Sequence, residues 1–213
     1  MLIFERMTHP VITVPPDMSI MNALAMLRRE HIRRAPVVKD GALVGIVSDH
    51  DLLNASPSQA SSLSIWEMNY MLSKITVKDV MTENVIAVDV NTPIEEAARI
   101  LADNKIGGLP VTRDEKLVGI VTETDIFKLF LELMGARDAG VRITALIPEK
   151  QGELAALSQA ITENGGVFVS FGIFAGDDAT NKEVTFKVTG IDKDTAVKAI
   201  QPYIVSIKDI REV

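Results

Sequence analysis

The sequence predicts an α+β protein in which two short sheet-and-helix units pack as a pseudo-twofold pair and a third unit of order βαββαβ follows. Three observations carry this. A self-similarity at an offset of 74 returns Met7-Thr8 as Met81-Thr82, Pro36-Val37 as Pro110-Val111, and LVGIV at 43–47 as LVGIV at 117–121. At that offset residues 7–53 align with 81–127 without a gap and 18 of the 47 pairs are identical, a register that unrelated loops would not keep. Apolar residues inside each copy switch between helical and strand periods in the same order. Beyond Val141 the pattern changes to a different set of elements, which ends the repeat.

Each copy begins with a short strand, expected at Val11 to Val14 and at Val85 to Val88. An amphipathic helix follows, with Ile20, Ala23, Leu24 and Leu27, or Ile94, Ala97, Ala98 and Leu101, on one face. Next come a strand at Pro36 to Lys39 or Pro110 to Arg113, a turn at Asp40-Gly41 or Asp114-Glu115, a strand ending in GIV, and a second helix. Units this small bury too little surface alone, so the two copies are expected to pack on each other and to form paired, related clefts. Between them, Asn54 to Ser62 (NASPSQASS) reads as a mobile loop and Leu63 to Ile75 as a helix bearing the only Trp.

The third unit reads as a strand at Arg142 to Ile147 and a helix at Glu153 to Glu163 stopped by Gly165-Gly166. A strand at Val167 to Phe174, a polar turn at Gly176 to Asn181 and a strand at Glu183 to Val188 come next. A helix at Asp192 to Ile200 and a strand at Ile204 to Ile210 complete it. This order in about 70 residues implies an antiparallel sheet with two helices on one face, a ferredoxin-like unit. The expected domains are 1–62, 63–135 and 141–213.

Composition narrows the function. Acidic side chains outnumber basic ones 29 to 22, a formal charge of −7, which argues against nucleic acid or an anionic membrane as partner. There is no cysteine, so thiolate metal sites and cysteine nucleophiles are excluded, and His9, His31 and His50 never fall at ligand spacing. No catalytic residues and no metal site are expected. Neither a signal-peptide core nor a run of 18 apolar residues occurs, and a cytoplasmic protein is expected.

Two positions carry polar chemistry that packing does not demand. Ser48-Asp49-His50-Asp51 corresponds to Thr122-Glu123-Thr124-Asp125, an S/T-x-x-D between a buried strand and a helix. It reads equally as a capping box or as a ligand turn in which Asp51 and Asp125 accept ribose hydroxyls, and the two roles can coexist. Ile32-Arg33-Arg34-Ala35-Pro36 corresponds to Ile106-Gly107-Gly108-Leu109-Pro110, and if the copies face each other one wall is open and the other cationic. Gly107 and Gly108 allow close backbone approach, and Arg33 and Arg34 supply a cationic wall suited to phosphate. The alternative for these arginines, with Arg28 and Arg29, is a solvated helix end that complements its dipole.

Together the M-T-x-x-V-I-x-V openings, the Pro36 and Pro110 segments, LVGIV and S/T-x-x-D, each present twice, resemble a tandem pair of CBS domains, the adenine-nucleotide-sensing Bateman module. The resemblance implies a regulatory adenosyl ligand, AMP, ADP or ATP, in one or both clefts and no catalytic cofactor. Carried over by motif, Asp51 and Asp125 bind ribose, and Ser48 and Thr122 help with ribose or phosphate. Val11, Thr13, Val85 and Ala87, with Ala35, Pro36, Leu109 and Pro110, flank the adenine. Pro148 to Leu154 (PEKQGEL) resembles the P-x-x-x-G-x-L loop of ACT domains, which implies sheet pairing into a homodimer and a place for an amino acid at the interface. The whole arrangement resembles the acetoin-utilisation CBS–ACT family. The expected function is a nucleotide sensor that acts in trans on an unidentified protein target. The alternatives are a structural dimerisation protein or an amino-acid sensor.

Overall fold

Ser19 opens the first helix by accepting the Asn22 backbone N–H on its hydroxyl, and the 3/4 spacing of Ile20, Ala23 and Leu27 sends all three into the core. This helix, α1 (Ile20–Arg29), lies in the first of two units, Met1–Ile126 and Phe127–Val213, of a computed structural model that describes residues 1–55 and 74–213. In the first copy it is followed by β1 (Arg34–Lys39), β2 (Ala42–Ser48) and α2 (Asp49–Asn54). The second copy holds β3 (Val88–Asp89), α3 (Ile94–Asn104), β4 (Gly108–Arg113), β5 (Lys116–Thr122) and α4 (Glu123–Leu133). Most of the helix expected at Leu63 to Ile75 and most of the loop before it lie outside the described residues.

The two hairpins are built alike. β1 pairs antiparallel with β2, and β4 with β5, each with a bulge at the repeat-equivalent place. Their turns need positive φ at both central residues. Asp40 and Gly41 take +52° and +82°, and Asp114 and Glu115 take +49° and +64°.

The copies exchange their N-terminal straps. Ile3 donates its N–H to Thr92 O (3.0 Å), and 74 residues on Val77 donates to Met18 O (2.9 Å). Thr8 bridges Ile120 while Thr82 bridges Ile46, and Leu2 bridges Pro93 while Thr76 bridges Ser19. Each strap therefore lies on the opposite copy, which generates a pseudo-twofold relation inside the unit. The repeated Met and Gly meet there. A Cβ built on Gly45 would sit 2.5 Å from Met81 Sδ, and one on Gly119 would sit 2.5 Å from Met7 Sδ.

The opening strands are shorter than the sequence suggests. Val14 makes a single parallel bridge to Val37, and only Val88 and Asp89 pair with β4. Val90 extends the second copy by donating to Thr112 O (3.0 Å). Its repeat equivalent is Pro16, which has no N–H to give, so the first copy stops at one bridge. Residues 11–13 and 85–87 lie outside any strand and are exposed or half-buried.

The second unit contains β6 (Val141–Pro148), α5 (Glu153–Glu163), β7 (Val167–Ala175), β8 (Asn181–Thr189), α6 (Lys193–Ile200) and β9 (Ser206–Glu212). The order βαββαβ follows the sequence, with every pairing antiparallel and the strands in space β7-β8-β6-β9. β9 starts two residues later than its apolar pattern suggests, because a 3-10 turn at Gln201–Tyr203 follows α6. Alternate residues Ile143, Ala145, Ile147, Val184, Phe186 and Val188 pack with Leu157 and Ile161 of α5 and Ala196 and Ile200 of α6. On the opposite face Lys187 is buried, and its ammonium donates to Gly135 O (2.6 Å) and Asp138 O (2.7 Å), which satisfies two of its three N–H groups.

Candidate functional site

At the junction of β2 and α2 the strand must release its last carbonyls and the helix must satisfy its first N–H groups. Ser48 and Asp51 do this reciprocally. Ser48 accepts the Asp51 N–H on Oγ (3.2 Å), and Asp51 Oδ2 accepts both the Ser48 N–H (2.8 Å) and the Ser48 hydroxyl (2.6 Å). Thr122 and Asp125 repeat the arrangement, with Asp125 Oδ2 accepting the Thr122 N–H (2.9 Å) and hydroxyl (2.8 Å). The reciprocal cap is complete at Ser48 and Asp51, and its carboxylate half recurs at Thr122 and Asp125. It uses only Oδ2, and the second oxygen of each carboxylate accepts no hydrogen bond from any described residue.

A cleft of about 340 Å³ opens beside the Asp51 turn. One wall is Ile46, Val47, Ser48 and Asp51 from the first copy. The other comes from the second copy, as Thr82, Asn84, Val85 and Ile86 from its strap and Lys105, Ile106, Gly107 and Gly108 ahead of β4. The strap exchange creates this cleft, because the Thr82 to Ile46 pairing is what lays the second copy's strap against β2. The glycine pair is fixed by the Glu123 N–H donating to Gly107 O (3.3 Å), just as Asp49 donates to Arg33 O (2.8 Å).

Arg34 reaches into the cleft from the first copy, and its side chain lies on the two glycines. A Cβ on Gly108 would stand 2.7 Å from Arg34 Cδ, and one on Gly107 would collide with the guanidinium itself. The room left by the glycines is thus occupied by an arginine. Burial pushes the Arg34 guanidinium below its ordinary pKa, partly offset by the nearby carboxylates of Glu123, Asp49 and Asp51, while Arg33 adds repulsion.

Of the residues expected at a site, Arg34, Ser48, Asp51, Val85, Gly107 and Gly108 line this one cleft. Ala35, Pro36, Leu109 and Pro110 are buried in β1 and β4. Val11, Thr13 and Ala87 lie on the connections ahead of α1 and α3, Arg33 is exposed just before β1, and Thr122 and Asp125 form the repeat-related turn. Sequence reasoning missed Ile46, Val47, Thr82, Asn84, Ile86, Lys105 and Ile106. Thr82 and Ile46 sit inside the repeated motifs themselves. Asn84 and Lys105 stand opposite Pro10 and His31, so comparison of the copies gave no signal there. In the structure Lys105 closes α3 in a left-handed conformation (φ +53°), two residues before Gly107.

No helix of the described residues is long and apolar enough to cross a membrane, and among them no cluster of three or more carboxylate or imidazole groups could hold a metal ion. Comparison with known proteins points to one family. A model described as the CBS domain matches residues 3–58 and 77–132. The CBS domain pair of protein MJ0100, solved with 5'-methylthioadenosine and S-adenosyl-L-methionine, is 31% identical, with a TM-score of 0.52 over 65% of this chain and 98% of that one. CBSX2 from Arabidopsis thaliana, solved in complex with AMP, is 34% identical, with a TM-score of 0.52 over 62% and 97%. An acetoin utilization protein (AcuB) from Vibrio cholerae is 27% identical, with a TM-score of 0.53 over 65% and 96%. L-aspartate semialdehyde sulfurtransferase of Methanocaldococcus jannaschii is 32% identical over 131 residues, and the match spans 61% of this chain but only 23% of that enzyme.

Proposed function

This chain belongs to the CBS-domain family, and on that premise we propose that it is a regulatory protein that binds an adenosyl ligand in the cleft between Asp51 and Gly107-Gly108. The observation that carries the reading is the division of labour within Asp51. One oxygen closes the helix cap, the other makes no hydrogen bond to any described residue, and the residue lines a 340 Å³ cleft. A ribose hydroxyl fits such an acceptor, and Ile46, Val85 and Ile86 supply apolar surface for a purine. The adenosyl ligands of MJ0100 and CBSX2 support the same chemistry. The repeat relation assigns Thr122 and Asp125, with Val11, Thr13, Ala35 and Pro36, to a second site, and Ala87, Leu109 and Pro110 to the adenine side of the first.

A ligand in this cleft touches both copies at once, so its binding energy differs between arrangements of the pair and shifts their populations. The output of such a shift is read by another protein. For the second unit we read a ferredoxin-like ACT domain, on the β7-β8-β6-β9 order and the PEKQGEL loop between β6 and α5. Val167, Ile173 and Phe174 are exposed on edge strand β7, which suits sheet pairing into a homodimer. The likeness to AcuB supports a role in small-carbon metabolism.

Thermal unfolding with AMP, ADP, ATP, NAD(H), 5'-methylthioadenosine and S-adenosylmethionine tests the reading. A ligand at 1,000 times its Kd should stabilise the fold by about 4 kcal/mol. The stabilisation should be lost in Asp51→Ala, and absence of any shift with every adenosyl compound overturns the proposal.

A further inference from the structure

We infer that Met81 is a redox-modification site, at which oxidation of the thioether by a hydroperoxide loosens the strap that walls the cleft. The effect on the strap stands on its own contacts, whereas a consequent loss of ligand affinity rests on the adenosyl reading above. The chain has nine methionines and no cysteine, so methionine is the only sulfur that an oxidant can meet. Met81 is half-buried, which leaves it within reach of a small peroxide while its side chain packs against the core of the first copy. It also lies on the Gly45 backbone, where a built Cβ would stand 2.5 Å from Sδ and 3.0 Å from Cγ. The next residue, Thr82, pairs with Ile46 in both directions, at 2.9 and 3.0 Å, and Thr82, Asn84, Val85 and Ile86 wall the cleft of about 340 Å³.

A thioether suits this place because it is apolar, polarizable and thin enough to lie across a glycine. Oxidation replaces it with a polar, pyramidal sulfoxide. Sulfur gives an electron pair to one peroxide oxygen, the O–O bond breaks as the S–O bond forms, and the second oxygen leaves as water or an alcohol. The new oxygen needs a hydrogen-bond donor or water. The Thr82 and Ile46 N–H groups already donate to each other's carbonyls, and Thr82 O, 3.2 Å from the built Gly45 Cβ, is itself an acceptor. The sulfoxide is therefore better hydrated when the strap lifts from β2, and the equilibrium moves that way. Thiol-dependent reduction returns the thioether, with release of water and a disulfide between the two thiols. Met7 makes the same contact at Gly119, but its strap pairs with Ile120, so the two sulfurs govern separate strap contacts.

Peptide mass spectrometry, amide exchange and calorimetry on the full chain, before and after hydrogen peroxide, test this. Treated wild type should carry one added oxygen at Met81 and lose about tenfold of the exchange protection at Ile46 and Thr82. It should bind its preferred compound among AMP, ADP and 5'-methylthioadenosine about tenfold more weakly. Methionine sulfoxide reductases with a thiol should restore both properties, and Met81→Leu should keep both through the same dose. An unmodified Met81 after a dose that converts the exposed Met1 and Met21 overturns the proposal. So does unchanged protection once Met81 is oxidised, or an equal loss in Met81→Leu. Protection lost with affinity intact overturns control of the cleft and leaves the modification of the strap. If the untreated chain binds no adenosyl compound, the adenosyl reading falls and amide exchange still decides the redox one. Reversal on wild type settles the matter even if Met81→Leu fails to fold.

Discussion

The two copies of the repeat share a backbone and differ in what they do with it. Both have a helix starting on a buried Ile, a bulged hairpin, an S/T-x-x-D cap and a strap laid across the other copy. The difference is concentrated at positions 33 and 34 against 107 and 108. One copy presents Arg33 and Arg34 where the other presents two glycines, and the Arg34 side chain fills the space the glycines leave. A symmetric scaffold thus yields an asymmetric cleft. Fold-maintaining positions stay alike in the two copies, whereas 33 and 34 differ from 107 and 108.

Core positions should break the comparison least, although their effects are the largest. Leu27→Ala and Leu101→Ala remove equivalent, fully or almost fully buried side chains. Each should cost about 2–5 kcal/mol in denaturant unfolding. A loss confined to one of the pair would show that the copies do not fold as one unit. At the dyad, Gly45→Ala and Gly119→Ala should each cost about 1–3 kcal/mol, because the new Cβ meets Met81 or Met7.

The capping pair separates structure from ligand. Asp51→Ala and Asp125→Ala should each lose about 1 kcal/mol of stability with the cap. In titrations with the preferred adenosyl ligand, Asp51→Ala should also weaken the cleft site by at least tenfold. Equal binding losses in both would place the ligand in both clefts. Turn chemistry offers a smaller contrast. Glu115 is a non-glycine residue at φ +64° where the first copy has Gly41, so Glu115→Gly should raise stability by up to about 1 kcal/mol. A lower Tm for that variant would mean that Glu115 contributes something its backbone does not reveal.

The smallest contrast is in proton binding. Thr76 donates its N–H (2.8 Å) and its hydroxyl (2.7 Å) to Asp79, which holds that carboxyl below the ordinary aspartate range. Glu5, its repeat equivalent, receives only the Leu2 N–H. Since the folded state lowers the Asp79 pKa, the associated stability is present above the unfolded value of about 3.9 and fades as pH falls through the folded one. Carboxyl NMR titration should find Asp79 on the acid side of its reference, and Thr76→Val should move it back up.

Much of this was legible locally. The offset of 74 gave the pairing of motifs, the 3/4 spacing gave α1 and α3, and Asp40-Gly41 marked a hairpin, because each depends on residues a few positions apart. The cap at Ser48 and Asp51 was also local, and it forms as the spacing suggests. The opening strands were overread, as the missing N–H of Pro16 limits the first and residues 85–87 do not join the second.

By itself the sequence determined the repeat, the order of elements, and the replacement of Arg33-Arg34 in one copy by Gly107-Gly108 in the other. Only the tertiary structure decided that Met7 lies on Gly119 and Met81 on Gly45, that Thr82 faces Ile46, and that Arg34 rests on Gly107 and Gly108. The reason is physical. Periodicity and capping are short-range properties of the chain, but contacts between the copies join residues that lie tens of positions apart. Which of two similar surfaces meets which is settled by packing, and a repeated sequence presents the same motifs to both.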